Sequence, residues 1–296
     1  MLGAMIVVSS CSGLANQMFQ YTFYLALRER GHDVLWDQSN YNPDMKATCE
    51  TIRLQDVFPN VTPEIMPPGH FRMAYWKRRW SFLKRLWGHI TGDWYLLQRD
   101  FMYHDDEFDR VKDNCIYVGF WQCEKYFKDI SDRVRDAFAF PEIPPGRNRE
   151  LAEEMLRGNS VAIHVRKGKD YTEELLFQHT CPPEYYAKAL EYVRHQSEDL
   201  VFYVFSDNPE WVHEHFKGFP YVLVDWNPIR GKDLYLDMQL MSCARYNIIS
   251  NSTYSWWAAW LNPRPDKQVI APAVWFNPEM KFYNPNEVVP EGWTKL

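Results

Sequence analysis

The sequence predicts an α/β protein built as two halves that leave a cleft between them. Three observations carry this. Short β-branched runs alternate with helix-length segments at the start of the chain and again after about residue 150, the pattern of parallel strands covered by helices. The length, 296 residues, favours two domains over one. Residues 141–149, PEIPPGRNR, carry three prolines and a glycine between the two alternating stretches and are the expected linker. We place the boundary between residues 145 and 146. In open sheets of this kind ligands bind beyond the carboxyl ends of the strands.

Met5–Val8 is a short apolar strand, followed by a small-residue turn, Ser9 to Gly13. A helix is expected from Leu14 to Arg30. Leu14, Met18, Tyr21 and Leu25 form one apolar stripe and Phe19, Phe23 and Ala26 a second, so the helix is apolar on most sides and packs on a sheet. Gly31 sits where a left-handed glycine ends a helix. Asp33–Trp36 is the next strand, with Asp37 at its carboxyl end. Residues 38–115 are punctuated by prolines. Within them, 71–90 is basic and aromatic without one acidic residue, and Trp76, Trp80, Leu83 and Trp87 fall at helical spacing. A polar and aromatic helix is expected around Lys125–Phe138.

Beyond the linker, strands are expected at Val161–Val165, Leu200–Phe205, Tyr221–Val224, Asn247–Ser250 and Gln268–Ala271. Helices are expected at Pro183–Gln196, opened by Pro182 and Pro183, at Lys232–Arg245 and at Ser255–Leu261.

Composition narrows the function. Hydrophobic residues make up 46% and charged residues 24%, which excludes a disordered chain. The 13 Trp among 17% aromatics suit a carbohydrate or nucleotide ligand. A net charge of −6 argues against nucleic-acid binding, which needs a basic face. Six scattered cysteines with no CxxC pair argue against structural zinc and against a disulfide scaffold, and free thiols in a reducing compartment fit better. The apolar run at the start is too short for a secretory signal, and no stretch reaches the roughly 20 apolar residues of a spanning helix. The expectation is a cytoplasmic protein that does not cross a membrane. The 71–90 segment could lie on the anionic inner face of the membrane with its tryptophans down, or pack its tryptophan stripe into the first half.

Three polar loops fall at expected carboxyl ends of strands. Ser12–Gln17 opens the first helix, where free backbone N–H groups suit an anion, although neither a Walker A ending nor the dinucleotide glycines are present. A capped helix start is the alternative. His164-Val165-Arg166-Lys167-Gly168-Lys169-Asp170-Tyr171 follows a strand, and alternation puts His164 and Arg166 on one face. An arginine fork suits a diphosphate and a histidine beside it suits a nucleoside edge. A solvated basic turn is the alternative. Ser250 to Trp257 sets a run of hydroxyls at a helix start, which fits either a phosphate or a serine-rich cap.

Five motifs, GLANQMFQYTFYLAL, GFWQCEKYF, VAIHVRKGKDY, YVFSDN and LMSCARYNIISNSTYSWWAAWLN, occur in this order. Together they resemble the α-1,2-fucosyltransferases of glycosyltransferase family 11, especially the bacterial members. The resemblance runs from about residue 5 to 275. It implies two Rossmann-like domains of GT-B type, with 1–145 on the acceptor side and 146–296 on the donor side. It implies an inverting, metal-independent transfer of L-fucose from GDP-β-L-fucose to the 2-hydroxyl of a terminal galactose, with no cofactor. The acceptor would be an oligosaccharide or a lipid-linked glycan. Carried over by position, it gives Arg166 to the diphosphate, His164 to the nucleoside, and Asn251, Ser252, Thr253 and Ser255 to the phosphate loop. It gives Asp237 to the guanine edge, Asp207 to the ribose or the loop, and Asn16 to the sugar or diphosphate.

The chain departs from the family pattern at three points. Lys167 replaces a second arginine, Lys169 is inserted before Asp170, and Ala15 replaces a glycine, which raises the question of whether that turn needs a left-handed residue. Inversion also requires a base for the acceptor hydroxyl, and Asp37 and Asp170 are the candidates; a carboxylate that holds a loop is the alternative for each. Two further readings are another GDP-sugar-dependent transferase and a non-catalytic GDP-sugar-binding protein.

Overall fold

The structure, a computed structural model, describes residues 6–39, 41, 52–67, 94–280 and 287–296. The expected α/β class, with two parallel-sheet halves, is borne out. The chain divides into compact units Met1–Ala139 and Phe140–Leu296, six residues before the expected boundary.

The first unit holds a four-stranded parallel sheet of β1 (Ile6–Ser9), β2 (Val34–Asp37), β3 (Trp94–Leu97) and β4 (Cys115–Val118), in the order β2-β1-β4-β3. β1 is central, pairing Ile6 with Val34 on one side and with Cys115 on the other. Helix α1 (Leu14–Glu29) buries 13 of its 16 residues, which is why its sequence is apolar on most sides. Tyr21 and Tyr24 pack against Trp36, and Phe23 stacks on Trp121 with ring centroids 4.1 Å apart. Gly31, at φ +84°, ends the helix as expected. The turn before α1 does need a left-handed residue, but it is Ser12, at φ 70°. Ala15 is already helical, so a glycine is dispensable there. The helix expected around Lys125–Phe138 is two 3₁₀ turns, Glu124–Tyr126 and Lys128–Ile130, followed by α2 (Ser131–Ala137). Tyr126 and Phe127, where the two turns meet, are both buried.

The second unit holds a six-stranded parallel sheet: β5 (Asn159–Val165), β6 (Leu200–Ser206), β7 (Val222–Val224), β8 (Tyr246–Ile248), β9 (Gln268–Ala271) and β10 (Thr294–Lys295). The order is β10-β9-β8-β5-β6-β7. The chain steps outward from β5 to β7, then returns to the other side of β5 and steps outward again. The switch point of this doubly wound sheet therefore lies between β5 and β8. Its helices are α3 (Arg147–Arg157), α4 (Lys169–Thr172), α5 (Pro183–Gln196), α6 (Pro209–His215), α7 (Leu236–Met241) and α8 (Thr253–Leu261).

Several elements differ from expectation. α3 begins inside the expected linker, directed inward by Leu151, Ala152 and Met155. The helix expected over Lys232–Arg245 is only α7, and the chain ahead of it turns through Gly231 at φ +82°. α6 was not expected, although Asn208 accepts the Trp211 amide at 3.1 Å and Pro209 stands at the first helical position, a recognisable helix start. The basic aromatic stretch 71–90 lies outside the described residues. Cys11, Cys115, Cys123, Cys181 and Cys243 form no disulfide. No helix among the described residues is long and apolar enough to cross a membrane.

Candidate functional site

The switch point of the second sheet collects most of the expected residues. β5 ends in His164 and Val165, and Arg166 follows. β8 lies beside it in register, with Ile163 opposite Ile248, so its following loop, Ile249 to Ser252, emerges next to the β5 loop. His164 Nδ1 lies 2.8 Å from Ser250 Oγ, joining the two loops. The imidazole is 7% exposed and sits 5.8 Å from the Tyr254 ring. Burial, reinforced by the neighbouring Arg166 charge, pushes its pKa down to about 3, so it is neutral and offers hydrogen bonds rather than charge.

Arg166 is held by Asp207, which follows β6. Its Nη1 donates to Asp207 Oδ2, and the same carboxylate accepts the amides of Lys167 at 2.7 Å and Gly168 at 3.0 Å. Asp207 is thus the keystone of the β5 loop. The Asp207 contact aims the planar fork of a guanidinium that carries five N–H donors. Its carbon also lies 5.1 Å from the centre of the Tyr171 ring. The Tyr171 hydroxyl donates to the Asn251 carbonyl, which ties α4 to the β8 loop. Lys167 is directed elsewhere. Its ammonium donates to the Thr180 carbonyl at 2.9 Å and lies over Trp211, and burial lowers its pKa. It braces the loop and does not replace the missing arginine.

The α8 tip is ordered by its own serines. Ser252 Oγ accepts the Tyr254 amide at 3.4 Å and caps the helix. Ser255 is fully buried with its hydroxyl directed to the Ser252 carbonyl. The Asn251 side chain donates to the Trp275 carbonyl at 2.9 Å and accepts from the Cys181 thiol, so it anchors the loop from inside. Of the four residues expected in the phosphate loop, Ser252 and Thr253 remain half-buried at the tip, whereas Asn251 and Ser255 are buried supports. Trp256 and Trp257, both 0% exposed, seat the helix behind its tip.

Asp237, in the first turn of α7, joins this site through Tyr254, whose hydroxyl accepts the Met238 amide at 2.9 Å and donates to the Leu234 carbonyl at 2.5 Å. Asp237 Oδ1 accepts from Asn227 Nδ2 at 2.7 Å. Burial raises its pKa to about 6, against the opposing effect of the Asn227 hydrogen bond. The backbone of Asp170 lies in α4, one residue beyond Lys169.

The remaining expected residues lie at the carboxyl edge of the first sheet. Asn16 Nδ2 donates to Ser12 Oγ at 2.9 Å, and its oxygen accepts from Gln122 Nε2 at 3.0 Å. Asp37 is 3% exposed; one oxygen accepts from Ser9 Oγ at 3.0 Å and the other from the Ser39 amide at 2.8 Å. Both oxygens therefore close its own loop, the arrangement of a structural brace. Ser250, Tyr254 and Tyr171 were not singled out from the sequence, although each lies inside a motif read as polar. Their roles depend on contacts across the switch point. Among the described residues, no three His, Cys, Asp or Glu side chains gather as a metal site would require.

Residues 96–296 match the model of a family described as Glycosyl transferase family 11. An Escherichia coli protein named Alpha-1,2-colitosyltransferase is 35% identical over 189 residues, 63% of this chain and 64% of that relative. The E. coli O-antigen biosynthesis glycosyltransferase WbnK is 36% identical over 141 residues, 47% of this chain and 45% of the relative. The chain thus spans about two thirds or less of the length of these curated relatives. Among solved structures, a mutant of Arabidopsis thaliana FUT1 in complex with GDP is similar with a TM-score of 0.46 at 12% identity, over 90% of this chain and 70% of that one. The family match covers the whole second sheet with its switch-point loops, and the chain belongs to glycosyl transferase family 11.

Proposed function

We propose that this chain transfers L-fucose from GDP-β-L-fucose to the 2-hydroxyl of a terminal galactose, with inversion and without a metal ion. The observation that supports it most is the Arg166 guanidinium, fixed by Asp207 in the loop that follows β5, the strand bordering the switch point of a doubly wound sheet.

In this reaction the bond between the sugar's C1 and the β-phosphate oxygen breaks as the bond from C1 to the acceptor oxygen forms. The leaving GDP takes the electron pair, and the acceptor proton passes to a base. Negative charge grows on the diphosphate, and fixed donors stabilise it without reorganising. Arg166 supplies charge, and the first turn of α8 supplies backbone N–H dipoles. Neutral His164, held by Ser250, presents a ring edge to the nucleoside. Asp237 reads guanine: a carboxylate accepts from both N1–H and the 2-amino group, whereas adenine turns an acceptor toward it. For the base, Asp170 is the better candidate, because both Asp37 oxygens already have donors.

Incubation of the full chain with GDP-fucose and lactose in the presence of EDTA tests this reading. GDP release together with a 2-linked fucosyl product supports it. Binding of GDP without release on any galactoside would favour a non-catalytic binding protein. The relative named as a colitosyltransferase favours a second reading, in which the linkage is kept and the donor sugar differs. Exchanging GDP-fucose for GDP-mannose and GDP-colitose in the same assay separates the two. We also place the protein in the cytoplasm; residues 71–90 either pack their tryptophan stripe into the first half or give the protein a peripheral placement on the inner membrane face. Flotation with anionic and neutral liposomes tests that placement, and lipid-independent behaviour would remove it.

A further inference from the structure

Asp237 stands at the end of a one-way chain of hydrogen-bond donors. Trp226 Nε1 donates to Asn148 Oδ1, Asn148 Nδ2 donates to Asn227 Oδ1, and Asn227 Nδ2 donates to Asp237 Oδ1, each at 2.7 Å. The indole N–H can only donate, so it fixes which end of the Asn148 amide faces it. That choice fixes Asn227, whose amide nitrogen must then face the carboxylate. Flipping either asparagine would set two acceptors or two donors against each other. Chains of this kind polarise along their length, and this one delivers its donor end to a single carboxylate oxygen.

The chain is also anchored outside the loops that follow β5 and β8. Asn148 belongs to the first turn of α3, and Trp226 and Asn227 to the loop after β7. The Arg147 guanidinium lies 3.3 Å over the centre of the Trp226 ring, which holds the indole plane. The loop after β7 is otherwise open to solvent, with Ile229 at 68% exposure, so the asparagine pair sets the position of its first residues.

We infer that Asn227 is a positioning residue for base specificity. By engaging Oδ1 and clamping the Asp237 side chain, it sets the carboxylate at the angle that receives N1–H and the 2-amino group of a guanine together. This rests on the proposed guanine contact of Asp237. The ligand class it selects is a guanosine diphosphate, against hypoxanthine and adenine nucleotides.

The test uses calorimetric titration of the full chain with GDP, IDP and ADP. IDP keeps N1–H and lacks the 2-amino group, so the GDP-to-IDP affinity ratio reports the two-point contact. Asn227→Ala is expected to weaken GDP roughly tenfold and IDP less than about threefold, collapsing the ratio. Trp226→Phe keeps a ring under Arg147 but deletes the donor that starts the chain. It is expected to move the ratio the same way by a smaller factor. In turnover, Asn227→Ala raises the donor KM while kcat stays within about twofold. A general loosening of the loop would instead weaken GDP and IDP in proportion. If Asn227→Ala and Trp226→Phe both keep the wild-type ratio, the inference is wrong while the guanine reading stands. If Asp237→Asn also keeps that ratio, or the wild type does not prefer GDP, the guanine reading fails and this inference fails with it.

Discussion

Asp207 holds Arg166. The carboxylate after β6 receives the guanidinium that follows β5, and it also closes the backbone of the β5 loop through the amides of Lys167 and Gly168. One side chain thus shapes the loop and aims the charge it carries. The side chains of the pair are 28% and 12% exposed, so the site remains open to a ligand while solvent screening of the pair is reduced.

Removing Asp207 should therefore affect folding and function together. Asp207→Ala leaves two amides and a guanidinium without their acceptor, and is expected to cost about 2–4 kcal/mol of stability. Asp207→Asn keeps one acceptor oxygen and should spare most of that stability, while raising the donor KM. Urea unfolding and steady-state kinetics on the two variants check this.

The pH dependence of stability is expected to carry opposing contributions from His164 and Asp237. His164, with its pKa pushed down to about 3, stays neutral in the fold, while the unfolded chain takes up a proton near pH 6.5. Its contribution is present above pH 6.5 and is lost at about 1.4 kcal/mol per unit as pH falls toward 3. Asp237 is raised to about 6, so between about 4 and 6 the fold holds the extra proton and gains stability on acidification. The two nearly cancel across that window. Unfolding at pH 7 and pH 5 should show His164→Asn losing less stability on acidification than wild type, and Asp237→Asn losing more.

Asp237 also predicts how GDP binding varies with pH. Only the ionised carboxylate accepts from both guanine donors. Wild-type affinity should fall about tenfold more than that of Asp237→Asn between pH 7 and pH 5. The phosphate's own titration is common to both proteins, so the ratio of the two affinities is the quantity to read. Calorimetry at the two pH values checks it.

In the first unit, Gly119 is expected to be intolerant of a side chain. A Cβ there would meet Gln98 Cβ at 2.6 Å and Trp121 Cζ2 at 3.0 Å. Gln98 Oε1 already accepts the amides of Phe120 and Trp121, so it cannot swing away without freeing them. Gly119→Ala should cost about 1–3 kcal/mol, measured by denaturant unfolding.

Much of the second unit was legible because its signals are local. Pro183 opening α5, the β-branched runs of β5 and β9, and the serine cap of α8 each declare themselves within a few residues. The motif order added the family. What was hidden depends on partners distant in sequence. Lys167 reads as a site charge until Thr180 and Trp211 are seen to hold it. Ser255 and Asn251 read as ligand donors, but burial turns both to the backbone. Asp37 reads as a base, and the Ser9 hydroxyl that orders its carboxylate lies 28 residues away. The donor chain from Trp226 to Asp237 runs through Asn148 of α3, which no sequence spacing relates to the loop after β7.

The most direct measurement is calorimetric titration of GDP, in EDTA, into the wild-type chain and Arg166→Ala. We predict saturable binding by the wild type and at least a roughly tenfold weaker Kd for the variant, the effect of losing a charge-assisted hydrogen bond. Equal affinity in the two proteins would contradict the account, because the diphosphate would then lie away from the Arg166 guanidinium.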